Sequence, residues 1–209
     1  MITKQDLEEK RTPAGLSKFV ESTFDSIRSV EEKKHAARRR KQPYKELIEE
    51  IYPLSIFCKL KYKDTNVLCA PVIGSQGFDA IIESECGDLI ENIELTWPID
   101  GQKAHTSSEQ LNKYGITDVE VWGVDDSRPR DEIIERIINA AKKKSIKDYS
   151  TESGSSIVFI VDVAPYFGMQ EIEHKDDIDT LVRRLGEIEY KANNAYLLFL
   201  PIQKLIQIK

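Results

Sequence analysis

Six consecutive residues, Ser156-Ile157-Val158-Phe159-Ile160-Val161, form a nearly unbroken β-branched and aromatic run. A strand with one face in water alternates apolar and polar residues, whereas this run offers both faces to apolar neighbours. It therefore predicts a central strand covered by helices on both sides. Three further runs read as strands ahead of it: Val67 to Val72, Phe78 to Ile82, and Ile93 to Trp97. Turn residues at Gly74-Ser75-Gln76-Gly77 and around Gly87-Asp88 separate them, so an antiparallel meander is the economical arrangement.

Helical periodicity fills the intervals. Thr12 can cap a helix with Pro13 in its first turn, and Leu16, Phe19, Val20, Phe24, Ile27 and Val30 recur at helical spacing. That helix is expected to run from Pro13 to Lys41, its end charged and facing solvent. A second begins with Leu47, Ile48, Ile51 and Tyr52 and is expected to be interrupted at Pro53. Others are expected from Ser107 to Tyr114, from Asp131 to Lys144 and from Asp177 to Tyr190. In the Asp131 helix, Lys142-Lys143-Lys144 suits the negative end of the macrodipole. Short strands are expected at Val119 to Trp122 and Tyr196 to Leu200, the latter followed by Leu205 to Ile208. Strands interleaved with helices give an α/β class with a mixed central sheet. The expected organisation is an N-terminal helical arm, residues 1–43, and one α/β domain, residues 44–209.

Composition excludes several classes. No apolar stretch approaches the ~20 residues of a membrane span, and the N-terminus lacks the apolar segment of a secretory signal, so a cytoplasmic location is expected. Cys58, Cys69 and Cys86 contain no Cys-x-x-Cys pair and read as reduced thiols. There is no phosphate-binding Gly-x-x-x-x-Gly-Lys loop and no Gly-x-Gly-x-x-Gly fingerprint. His35, His105 and His174 are scattered, which leaves a zincin or a serine hydrolase without a motif. The net charge of -6 opposes a purely electrostatic nucleic-acid binder, yet Lys33, Lys34, Arg38, Arg39, Arg40 and Lys41 form a local basic ridge that could track phosphates.

The order of helix, three close strands, helix and strand from Tyr44 to Val163 resembles the restriction-endonuclease-like core of the PD-(D/E)XK nuclease superfamily. In that family an acidic residue opens or interrupts the second strand, and an acid-x-lysine motif lies on the third. Asp79 and Glu94 occupy those places here, and Thr96 stands where the lysine is expected. The resemblance implies Mg²⁺ or Mn²⁺ held by Asp79, Glu94 and the Leu95 carbonyl, with phosphodiester bonds of nucleic acid as substrate. Hard divalent ions prefer such oxygen ligands. Lys103 is the expected replacement amine, with Gln102 or His105 orienting water. Gln110 and Tyr114 reproduce the Gln-x-x-x-Tyr spacing of one nuclease branch, and Glu49 or Glu50 could add a ligand.

Other readings stay open. Thr96 in place of lysine suits a degenerate nuclease core that binds nucleic acid or protein without catalysis. Asp79 and Glu94 could each simply face solvent on alternating strands. Phe19, Phe24 and Ile27 could pack against a second copy in a homo-oligomer.

Overall fold

The computed structural model describes residues 2–74, 77–98, 110, 113, 128–149, 154–162 and 175–209. Six strands form one sheet in the order β1-β2-β3-β4-β5-β6: Val67–Pro71, Ala80–Ser84, Leu89–Thr96, Ser155–Val161, Asn194–Phe199 and Lys204–Gln207. The first three pair antiparallel, as the turn chemistry predicts. β4 lies parallel to both β3 and β5, and β6 closes the edge antiparallel to β5. Every residue of β4 is buried, which is what its unbroken apolar run requires. The fold is α/β, with a mixed sheet flanked by helices.

Two hydrophobic clusters lie on opposite faces of the sheet. On one face, Ile93, Leu95, Val158, Ile160 and Leu198 meet helices of the N-terminal half. These are α1 (Lys4–Glu8), α2 (Pro13–Ser29), α3 (Glu31–Arg38), α4 (Tyr44–Glu46) and α5 (Tyr52–Lys61), with a π-helical turn, Leu47–Ile51, joining the last two. On the other, Ile157, Phe159, Val161, Leu197 and Phe199 meet α6 (Arg128–Ser145) and α7 (Lys175–Gly186). Leu7, Leu16, Val20 and Ile27 belong to the first cluster, so the N-terminal helices share their core with the sheet. Phe19 and Phe24 pack against that same core, Phe24 edge-on to Tyr52 with ring centroids 5.4 Å apart.

Several element boundaries differ from the periodicity. The expected single helix from Pro13 to Lys41 breaks at Val30, whose extended backbone (φ -127°, ψ 118°) ends α2 and starts α3. The stripe of large apolar residues stops there, and α3 takes a new direction in which Ala37 joins the same core. The helix does not stop at Pro53. The Tyr52 N–H reaches back to the Leu47 carbonyl, and the wider π turn ahead of it lets proline, which lacks an N–H, enter at the start of α5. β2 begins at Ala80 rather than Phe78, leaving Asp79 just ahead of it. α7 ends at Gly186, short of Tyr190, whose hydroxyl donates to the Leu185 carbonyl at 3.2 Å. The expected helix Ser107–Tyr114, apart from Gln110 and Lys113, and the expected strand Val119–Trp122 lie outside the described residues.

One buried polar network ties β3 to α5 and β4. Glu91 accepts from Lys61 Nζ at 2.7 and 2.6 Å, from the Tyr62 and Ser156 hydroxyls, and from Asn194 Nδ2 at 3.3 Å. Lys61 also lies 4.7 Å from the centre of the Tyr196 ring, which disperses its charge over an aromatic face. Cys58 and Cys69 are buried, Cys86 is exposed, and all three are free thiols. Among the described residues no helix is long and apolar enough to cross a membrane.

Candidate functional site

The pleat decides where the two acids sit. In β3, Ile93 and Leu95 face the N-terminal helices, so Glu94 and Thr96 between and beyond them face α6. The antiparallel register ends with Ala80 opposite Ile93, and Asp79 lies just ahead of it. Asp79 departs from the regular ladder: its N–H donates to the carbonyl of Ile93, the partner of Ala80, at 2.7 Å, and its carbonyl accepts from the Val72 N–H at 2.9 Å. Asp79 and Glu94 lie near each other at this end of the β2–β3 pair, and neither is fully exposed.

The Asp79 carboxylate accepts from the Leu95 N–H at 2.6 Å, which holds it over β3. Burial nonetheless pushes its pKa up to about 6. The Leu95 hydrogen bond works against that shift, the Glu94 charge adds to it, and Lys144 and Lys147 oppose it. Lys144, in the last turn of α6, places its ammonium against the Glu94 carboxylate. The Tyr149 hydroxyl is buried beside Glu94 and Asp79 but outside hydrogen-bond geometry, and burial and the two carboxylates raise its pKa. The Thr96 hydroxyl oxygen is likewise buried without a hydrogen-bond partner.

A second group of acids approaches from the π-helical turn. Glu50 has its pKa pushed up to about 7, first by burial and then by the charges of Asp79, Glu46 and Glu49. Glu46 is buried, and its Oε2 finds no hydrogen-bond partner. π turns insert an extra residue into a helical turn and so re-aim the side chains around it. Here that region belongs to the layer opposite α6, and Glu50 lies near enough to Asp79 to feel its charge. Among the described residues, no set of three or more His, Cys, Asp and Glu side chains converges closely enough to hold a metal ion.

The sequence-predicted residues divide accordingly. Asp79, Glu94 and Leu95 come together. Gln110 is helical, while Gln102, Lys103, His105 and Tyr114 lie outside the described residues. Lys144 and Tyr149 escaped sequence reasoning: Lys144 sits in a three-lysine run that the helix end explains by itself, and Tyr149 belongs to no motif. In the basic ridge, Lys33 Nζ donates to the Ser26 hydroxyl at 2.6 Å and Lys34 pairs with Glu31 at 2.9 Å. Arg38, Arg39, Arg40 and Lys41 are exposed, with Arg40 4.0 Å from Glu49.

No family model matches the chain, and no curated protein matches it. Among solved structures, the chain has a distant likeness to SfsA of Pyrococcus furiosus, described in complex with Ca²⁺. The two are 16% identical, with a TM-score of 0.25, over 78% of this chain and 60% of that one. The chain thus spans about 60% of the length of that protein.

Proposed function

We propose that the chain is a metal-dependent phosphodiesterase acting on nucleic acid, built on a core of the PD-(D/E)XK type. The observation that carries this reading is the nearness of Asp79 and Glu94 at the end of the β2–β3 pair, where the Asp79 carboxylate is held by the Leu95 N–H, with Lys144 against Glu94. The donor set suits a hard divalent ion. Mg²⁺ needs only one or two carboxylates, because it keeps several waters and takes further oxygens from a phosphate. Asp79 and Glu94 would hold it. The Leu95 carbonyl suits a third position, because a strand residue directs its N–H and C=O to the same side and the Leu95 N–H goes to Asp79.

When bound, the ion lowers the pKa of a water and polarises a phosphoryl oxygen. The chain's own groups do the rest. Lys144 takes the part for which Thr96 is unsuited: its ammonium can donate to a phosphate oxygen or orient the attacking water, and it offsets the charge of Glu94. Above about pH 6 Asp79 is a carboxylate, as an ion ligand must be. The exposed Arg38, Arg39 and Lys41 would attract the phosphate backbone irrespective of sequence.

A second reading keeps the fold without catalysis, as a module that binds nucleic acid or protein. It is favoured by the Lys144 contact, which already neutralises Glu94 without any ion. Cleavage of DNA and RNA with Mn²⁺, compared with Asp79→Ala, tests the first reading, and equal cleavage by both proteins sinks it. Calorimetric titration with Mn²⁺ separates the two readings. A phosphodiesterase gives a binding heat that disappears in Glu94→Ala, and a pure binding module gives none.

A further inference from the structure

β3 and β4 run parallel and leave the sheet at the same edge, and a cavity of about 330 Å³ lies just beyond their carboxyl ends. Its apolar part is formed by Ile137 of α6 with Ile160 and Val161 at the end of β4. Trp97, the residue after β3, forms a wall. The Trp97 indole N–H donates to the Glu49 carbonyl at 2.6 Å, so the ring is fixed before any ligand arrives.

The charges at the rim come from both layers of the fold. Arg40 follows α3, in the left-handed region with φ 49°, where the chain turns as α3 ends. Arg136 projects from α6, exposed, with no ion-pair partner among the described residues. Glu49, 4.0 Å from Arg40, and Asp162 add two carboxylates to the same cavity. A fixed aromatic wall, an apolar floor, two guanidinium groups and two acceptors match one class of ligand in every part. A nucleobase has π faces for the indole and amino groups for the carboxylates, and its phosphate suits the guanidinium groups.

We infer that this cavity is a subsite for one unpaired nucleotide of a nucleic-acid strand, at the end of the β-strand that carries Glu94. The inference rests on the phosphodiesterase reading and adds the substrate class: a single strand, or a duplex end with a base turned out. Trp97 lies three residues beyond Glu94, roughly 10 Å along the chain at strand rise, and packs with the N-terminal helices, so a nucleic-acid strand with its phosphate at Asp79 and Glu94 reaches the cavity by crossing the end of β3. A cavity of this size takes one base and excludes a stacked base pair.

The test needs no catalysis. The indole N–H resonance of Trp97, assigned by comparison with Trp122→Phe, is followed by NMR in the full chain, with EDTA present. Titration is with adenosine 5′-monophosphate, ribose 5-phosphate and a short single-stranded oligoadenylate. The nucleotide should shift the Trp97 signal, and ribose 5-phosphate should bind about tenfold more weakly, since it lacks the stacking base. The oligonucleotide should bind at least as tightly as the mononucleotide. Arg136→Ala, at an exposed position that leaves the core intact, should weaken both nucleotides at least fivefold. Trp97→Leu should weaken them similarly, with binding followed by calorimetry. Binding unchanged in Arg136→Ala, equal binding of the base-free sugar phosphate, or exclusion of the oligonucleotide would each overturn the subsite. Asp79→Ala should bind the nucleotide like the unaltered chain, so a subsite that binds beside acids that do not cleave separates failure of hydrolysis from failure of this inference.

Discussion

The ammonium of Lys144 meets the carboxylate of Glu94 across a separation of 50 residues, joining the last turn of α6 to the middle of β3. Thr96, two positions beyond Glu94 on the same face, has an unpartnered hydroxyl and no charge. On the phosphodiesterase reading, the positive charge that the strand lacks is supplied from the helix layer. Replacing Lys144 by Met should lower nucleic-acid cleavage by about 100-fold or more, chiefly in kcat, as expected for a group acting on the reacting centre. Lys103→Met should leave the rate near that of the unaltered chain. Single-turnover cleavage of a labelled oligonucleotide measures both, and a Lys144→Met protein of undiminished rate would reduce Lys144 to a counter-ion.

Asp79 and Glu50 give stability a pH dependence of definite sign. Their native pKa values, about 6 and about 7, lie above the ordinary 3.8 and 4.5, so the folded chain binds protons more avidly than the unfolded one. Their contribution is complete below about pH 4 and is lost as pH rises through 6 and 7. Both groups retain contact with solvent, which screens the effect to the order of 1 kcal/mol each. Urea denaturation in EDTA at pH 5 and pH 8 should show a smaller fall in stability for Asp79→Asn and Glu50→Gln than for the unaltered chain. A steeper fall in either variant would contradict the burial of that carboxyl.

On the phosphodiesterase reading, the raised pKa of Asp79 also predicts how a divalent ion should bind. A divalent cation competes with the proton on Asp79, so Mn²⁺ affinity should strengthen steeply from pH 5 to pH 7 and level off above it. Calorimetry in two buffers of different ionisation heat should detect protons released on binding near pH 6. Affinity that is flat over this range would mean that Asp79 is not a ligand.

How much of this was legible in the sequence depended on whether a signal was local. The β4 run announced a strand buried on both faces, and glycine-rich turns announced the meander, because both follow from backbone and burial preferences within a few residues. Asp79 and Glu94 were singled out by their places in a family-like order of strands, whereas the irregular pairing of Asp79, whose N–H meets the Ile93 carbonyl, was not legible. Lys144 was not: a lysine at a helix end is already explained by the macrodipole, and only tertiary packing brings it to Glu94. Glu50 was named as a possible ligand, but the π turn that holds it was not legible, because apolar periodicity cannot distinguish it from an ordinary helical turn. The break at Val30 was hidden because a β-branched residue fits a helical stripe as well as an extended link.

Glu91 sets the stability of the opposite end of the sheet. It is buried at 4% exposure, with every acceptor position engaged by Lys61, Tyr62, Ser156 and Asn194. Removing one member of such a pair leaves a charge with no partner in a poorly solvated place, which typically costs about 3–5 kcal/mol. Glu91→Ala should lose that much in denaturant titrations. Lys61→Met should lose less, because part of Lys61 reaches solvent, and its removal leaves Glu91 two hydroxyl donors. Equal and small effects for both variants would show that water satisfies Glu91.

The N-terminal helices make a last comparison possible. Leu16 is fully buried in the cluster that also contains Ile93, Leu95 and Val158, whereas Lys18 on the same helix is exposed. Truncating a leucine in a packed core removes its transfer free energy and leaves a cavity, together about 3–5 kcal/mol. Lys18→Ala should change stability by no more than about 0.5 kcal/mol. If α2 unfolds with the sheet, Leu16→Ala shifts one cooperative transition seen equally by Trp fluorescence and by far-ultraviolet circular dichroism. If residues before Lys41 formed a separately melting arm, the variant would instead split the circular-dichroism transition and leave the fluorescence midpoint in place.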